Sequence, residues 1–144
     1  MIIARIARHL YLEGLRELER NDLDALLMRF DDEATLIFVG DAPLGTELSA
    51  SADVRLWFER FRRLLPDPRF EVQRLLVSGP PWNQRLAAHV LISSTVDGEP
   101  YQNQFAHFLR LRWGKVTDDL ILEDTLDRTR FGGHSSKLPD VSGE

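Results

Sequence analysis

At 144 residues the chain has the length of one domain, enough to bury roughly two thirds of the surface its unfolded form exposes. An apolar content of 43% beside 28% charged residues is that of an ordinary soluble domain, and the net charge of −5 argues against a nucleic-acid partner, whose phosphates need a basic face. Cysteine is absent, which excludes disulfides, thiolate chemistry and Cys-based zinc sites.

The first segment, residues 3–19, places Ile3, Ile6, Ala7, Leu10, Gly14 and Leu18 at helical spacing, with charged residues around the rest of the axis. Charge interrupts its apolar residues every few positions, so it is no signal peptide, and no apolar run approaches the roughly 20 residues of a bilayer span. The expectation is a cytoplasmic protein with no membrane partner. After a break at Asn21, Asp22 can N-cap a short helix carrying Leu23, Leu26, Leu27 and Phe30. Asp31-Asp32-Glu33 has the composition of a metal cluster, but sequential carboxylates diverge, and a solvated loop is the expectation. Ala34–Val39 is rich in β-formers and closes at Gly40-Asp41-Ala42-Pro43. A helix from Ser51 or Asp53 carries Val54, Trp57, Phe58, Phe61, Leu64 and Leu65 in a wide stripe until Pro66 and Pro68 end it. Arg55, Arg60, Arg62 and Arg63 on this helix read as a solvated face.

From there the period changes from 3.6 to 2. Strands are expected over 70–78 and 85–95, with an Asp97-Gly98 hairpin leading to a strand over 101–112. A Gly114-Lys115 turn and a last strand from Val116 to Asp124 follow. Helices first and a meander second describe an α+β domain over 1–131, with a flexible tail over 132–144. Trp82 and Trp113 fall at turns and are expected at the surface.

Two strand residues are polar where apolar ones are expected. With Arg110 and Arg112 in water, Asn103, Phe105, His107, Leu109 and Leu111 face inward. In the last strand Asp119, Ile121 and Glu123 oppose Leu120, Leu122 and Asp124. Pairing across the turn sets Asp124 near Asn103 and diagonally from His107, a geometry that one bulge would undo. A carboxylate with Leu120 and Leu122 on its face would suit proton abstraction next to a carbonyl. The plainer alternative is a strand-end Asp paired with Arg128. His107 is either an enolate-stabilising donor or a core histidine bonded to a backbone carbonyl. Asn103 is a donor beside Asp124 or an edge residue, and the facing of His89 depends on the hairpin register. Tyr11, Trp57 and Phe61 are core by default and substrate-binding residues if a cavity lies under the helices. His9 and His134 have no partner spacing. No metal motif, phosphate loop or dinucleotide fingerprint occurs, so no metal and no cofactor are expected.

The Asn21–Thr35 segment, the glycine turn, the Trp/Phe-rich helix and the closing hairpin with Gly114-Lys115-Val116 together resemble the SnoaL-like polyketide cyclase family, within the ketosteroid isomerase and nuclear transport factor superfamily. The resemblance implies a cone-shaped α+β barrel with N-terminal helices on a curved mixed or antiparallel sheet. It also implies a cavity lined by a histidine on the penultimate strand and an aspartate on the last, here His107 and Asp124. The aspartate base of the ketosteroid isomerases falls at Phe38, and their helix tyrosine near Gly14, one turn from Tyr11. The Asp-Arg-Asp set of the limonene epoxide hydrolases meets Leu91 and His89 at two of its positions. Both of those chemistries are thereby disfavoured. Proton transfer next to a carbonyl of a hydrophobic small molecule remains, of the aldol cyclase, isomerase or dehydratase type. The competing reading is a ligand-binding or dimerisation module without turnover. An outer sheet face with Ala106, Phe108 and Ile121 is expected to be covered in a homodimer.

Overall fold

The computed structural model describes residues 2–40, 46–49 and 51–125. The 132–144 tail and the Asp124–Arg128 ion pair of the sequence reading lie outside these residues in whole or in part.

Helix α1 (Ile2–Glu19) buries Ala7, Tyr11, Glu17 and Leu18 on one side. It stops at Asn21, whose φ of 62° takes the left-handed turn that asparagine tolerates. Asp22 then caps α2 (Leu23–Leu27) as its sequence position predicts, its Oδ1 accepting from the Ala25 N–H at 3.3 Å. Strand β1 (Phe30–Val39) begins four residues earlier than expected, so Asp31, Asp32 and Glu33 are exposed strand residues rather than a loop. A short β2 (Thr46–Ser49) leads into α3 (Ser51–Leu64), and four long strands follow: β3 (Arg69–Ser78), β4 (Gln84–Val96), β5 (Glu99–Arg112) and β6 (Lys115–Glu123).

These strands form one mixed sheet in the order β2-β1-β6-β5-β4-β3. The hairpins are antiparallel, whereas β1 lies parallel to β6, so the last strand sits in the middle of the sheet. Both β4–β5 and β5–β6 turn through two residues with positive φ: Asp97 and Gly98 at 53° and 82°, Trp113 and Gly114 at 51° and 81°. Such pairs match strand twist. The second turn thus sits one residue before the expected Gly114-Lys115.

One irregularity decides which β6 side chains face inward. Arg112 pairs with Lys115 and Leu111 with Val116, but Arg110 pairs with Asp118, so Thr117 is an extra residue in β6. A side-chain period of two means that one inserted residue exchanges the faces of all that follow. Asp119, Ile121 and Glu123 therefore share a face with His107, while Leu120 and Leu122 turn outward. Ile121 is buried and belongs to the core, not to the outer face proposed from sequence.

Helix α3 roofs the inner face. Trp57 is 1% exposed and packs on Phe38, Phe58 and Phe61 with ring centroids 5.0–5.6 Å apart. Burying an aromatic of this size removes roughly 200 Å² from water, on the order of 5 kcal/mol before entropy is subtracted. Trp82 and Trp113 are exposed and lie 5.9 Å apart beside the β5–β6 turn.

Candidate active site

The inner face of β5 and β6 carries the polar residues. His107, from the middle of β5, is 8% exposed, and its Nε2 lies 2.5 Å from Oδ1 of Asp119. Asp119 comes from β6, where the Thr117 bulge turns it inward diagonally across from His107. On the other side of the ring, Nδ1 lies 2.9 Å from the hydroxyl of Tyr11, supplied by α1. A carboxylate only accepts, so Nε2 carries hydrogen; a neutral ring then offers Nδ1 as acceptor, and Tyr11 donates to it. Burial first, and the Asp119 carboxylate second, hold the Tyr11 hydroxyl far above the usual tyrosine range. Tyr11 is thus a neutral donor at every ordinary pH. Three helix and strand residues, distant in sequence, form one buried hydrogen-bonded chain.

His107 and Asp119 line a cavity of about 300 Å³ between the helices and the sheet. Its walls are aromatic and aliphatic, with Phe38, Trp57, Phe61, Phe70 and Phe105 prominent. A second polar group stands further along. Oε2 of Glu123 accepts from Tyr101 at 3.0 Å and from Asn103 Nδ2 at 2.8 Å. Asp119 and Glu123 stand four positions apart along the strand, roughly 13 Å. An apolar space with polar groups at two ends suits a hydrophobic ligand carrying a few oxygens.

The sequence candidates divide on this geometry. His107, Asn103, Trp57 and Phe61 all line the cavity, and Tyr11 joins it through His107. His89 does not. It lies on the outer face of β4, exposed, with its Nε2 2.8 Å from Oε1 of Gln104. The two-residue Asp97-Gly98 turn pairs Ala88, not His89, with His107 and so sends His89 outward. Asp124 stands at the cavity rim beyond the end of β6, where its Oδ2 accepts from Gln104 Nε2 at 3.2 Å. The carboxylate bonded to His107 is Asp119 instead, because the bulge displaces the register by one. The sequence reading thus missed Asp119, Glu123 and Tyr101. The adjacent Asp118-Asp119 pair held part of the signal, since in any strand one of the two must face inward.

One further ion pair braces the site from behind. Arg29 donates from Nε and Nη2 to Glu17 at 2.7 and 2.6 Å, with the Glu17 side chain 7% exposed. Its hydrogen bond to Glu17 holds the guanidinium pKa above its ordinary value. Among the described residues no group of three His, Asp or Glu side chains is placed to hold a metal ion, and no helix is long and apolar enough to cross a membrane.

Residues 11–119 match the family of SnoaL-like domains, a span that covers most of the chain. The chain belongs to the SnoaL-like family. None of the curated proteins compared with it matches the sequence. Among solved structures it is similar to AclR of Streptomyces galilaeus, a proposed hydroxylase, with 18% identity, 96% of this chain and 92% of that one covered, and a TM-score of 0.72. A protein of ketosteroid isomerase-like fold from Catenulispora acidiphila, solved with trimethylamine, aligns at 14% identity over 81% and 85% of the two chains, with a TM-score of 0.68. TerC, crystallised with polyporic acid, aligns at 15% identity over 88% and 97%, with a TM-score of 0.71. At these identities the likeness establishes the fold, and this SnoaL-like chain shares the α+β architecture of all three.

Proposed function

We propose that this SnoaL-like domain is a small-molecule enzyme that moves a proton at carbon next to a carbonyl, as in aldol cyclisation, isomerisation or dehydration. The observation that carries this reading is the Tyr11–His107–Asp119 chain opening on an apolar cavity of about 300 Å³. Asp119 acts as the general base: Oδ1 is fixed by His107, and Oδ2 has no hydrogen-bond partner among the described residues. His107 is a positioning residue, since both ring nitrogens are engaged, and it supports the negative charge of the carboxylate through Nε2–H. Tyr101, Asn103 and Glu123, hydrogen-bonded to one another at the far end of the cavity, form a polar anchor for an oxygen of the substrate remote from the reacting carbon. The aromatic walls select a hydrophobic, ring-containing substrate, in keeping with TerC having been crystallised with polyporic acid. A homodimer is part of the proposal, because Phe108 and Leu122 leave apolar surface on the outer sheet face at 43% and 38% exposure. Sedimentation at micromolar concentration tests it, and a monomer refutes it.

The competing reading is a binding module without turnover, favoured by the engagement of both His107 nitrogens inside the protein. Incubation with a panel of cyclic diketones and aryl ketones in D₂O separates the two. Catalysed C–H to C–D exchange seen by NMR, abolished in Asp119→Asn, supports the enzyme. Saturable binding with no exchange above buffer supports the module.

A further inference from the structure

The site has a second chamber. A cavity of about 80 Å³ lies on the far side of the Tyr11–His107–Asp119 chain and is lined by all three residues. His107 and Asp119 line the larger cavity as well, so the hydrogen-bonded chain is a wall between two compartments. The front compartment extends toward Asn103 and Glu123, the rear one toward the opposite end of the same hairpin, at Leu111 and Gly114. Gly114 is exposed, and Leu10, Gly14 and Arg29 are partly so, which gives the rear chamber a side of its own toward water.

Two features mark this space as kept open. Gly14 lies deep inside an 18-residue helix, where glycine is the poorest former after proline. The backbone does not demand it: a Cβ there meets Leu26 and Arg29 at 3.6 and 3.8 Å, ordinary contact distances. A larger side chain at position 14 would instead take up chamber volume. The second feature is Arg29, which lines the chamber and whose guanidinium is held by Glu17 through two hydrogen bonds. Together with the Tyr11 hydroxyl it supplies the polar partners that water needs, and the volume exceeds the 10–15 Å³ or so that one water requires several times over.

We infer that the rear chamber holds water and is the proton port of the site, so that His107 exchanges protons with bulk solvent through Tyr11 and not through the substrate cavity. The inference deepens the acid–base reading above and takes its purpose from it. In the transfer a chamber water gives a proton to the Tyr11 oxygen as Tyr11 passes its own to Nδ1 of His107. Nε2–H moves to Oδ1 of Asp119 in the same step. Asp119 gains one proton and the water chain loses one, while Tyr11 and His107 stay neutral.

The test needs no substrate. In the full chain with ¹⁵N-labelled histidine, the ring N–H of His107 is identified by its loss in His107→Gln, and its exchange rate with water is measured. Gly14→Val, which fills the chamber and leaves the three groups in place, is expected to slow exchange at least tenfold. Val96→Trp, which narrows the front cavity at its rim, leaves the rate within about twofold. General loosening of the fold speeds exchange, so slowing cannot come from damage. If Gly14→Val does not fold, Gly14→Ala is expected to slow exchange by more than its gain in stability, measured by urea unfolding, accounts for. An unchanged rate in the foldable Gly14 variant, or slowing by Val96→Trp instead, overturns the inference. Should Gly14→Val slow exchange while no ketone exchanges deuterium, the port stands and the enzyme reading falls.

Discussion

Asp119→Asn, set beside Asp124→Asn, tests the site most directly. The Asp119 side chain is 3% exposed and bonded to a ring nitrogen at 2.5 Å. Asparagine has the same shape and can still accept from Nε2–H, so the loss is that of charge assistance. A hydrogen bond to a charged group contributes about 1.5–3 kcal/mol and a neutral one about 1, leaving a destabilisation of roughly 0.5–2 kcal/mol. The catalytic effect is larger. Without a base, C–H exchange on a responsive ketone is expected to fall by about 10²–10⁴, while affinity for the same ketone changes little. Asp124 stands at the rim on a 3.2 Å hydrogen bond to Gln104, and its substitution is expected to stay within about 0.5 kcal/mol and within threefold in rate. Urea unfolding, deuterium exchange and ligand titration on both variants measure these quantities. If Asp124→Asn abolishes exchange and Asp119→Asn keeps it within tenfold of the parent, Asp119 is not the base, and the argument from the bulge is wrong about function.

Glu17→Ala leaves the Arg29 guanidinium, a quarter exposed, without its bidentate partner; a loss of about 2–3 kcal/mol in urea unfolding is expected, short of the full cost of a wholly buried pair. Hydrogen bonds to Asp67 from Ser94, and then from the Thr95 backbone, depress its pKa from the ordinary 3.8. A depressed folded-state pKa means stability present above the unfolded value and lost as pH falls below it, so Asp67→Asn should flatten the acid limb of a stability-against-pH curve. The raised pKa of Tyr11 has the opposite sense. The unfolded tyrosine ionises near pH 10 and the buried one does not, so stability falls above that pH, and Tyr11→Phe removes this alkaline loss. In a native absorbance titration at 295 nm taken to about pH 11, Tyr11→Phe should match the parent, whereas in denaturant it lacks one ionising tyrosine.

Much of this protein is set by local sequence. The stripe in 3–19, the Asp22 cap, the aromatic face of α3 and the Asp97-Gly98 turn each act within a few residues of chain, and each element formed where its pattern put it. The inward set on β5, with His107 among Leu109 and Leu111, followed from alternation against two exposed arginines. Tertiary structure decided the partners. No local pattern tells β6 to lie parallel to β1, which brings Leu36 beside Asp119 and buries the last strand in mid-sheet. Nor does any local pattern mark Thr117 as the residue left out of the ladder, because a bulge is a compromise between two strands and the layer packed on them. That single residue turned Asp119 inward and left Asp124 at the rim. The identity of the carboxylate bonded to His107 is thus a property of sheet packing, whereas the histidine could be found by reading along one strand.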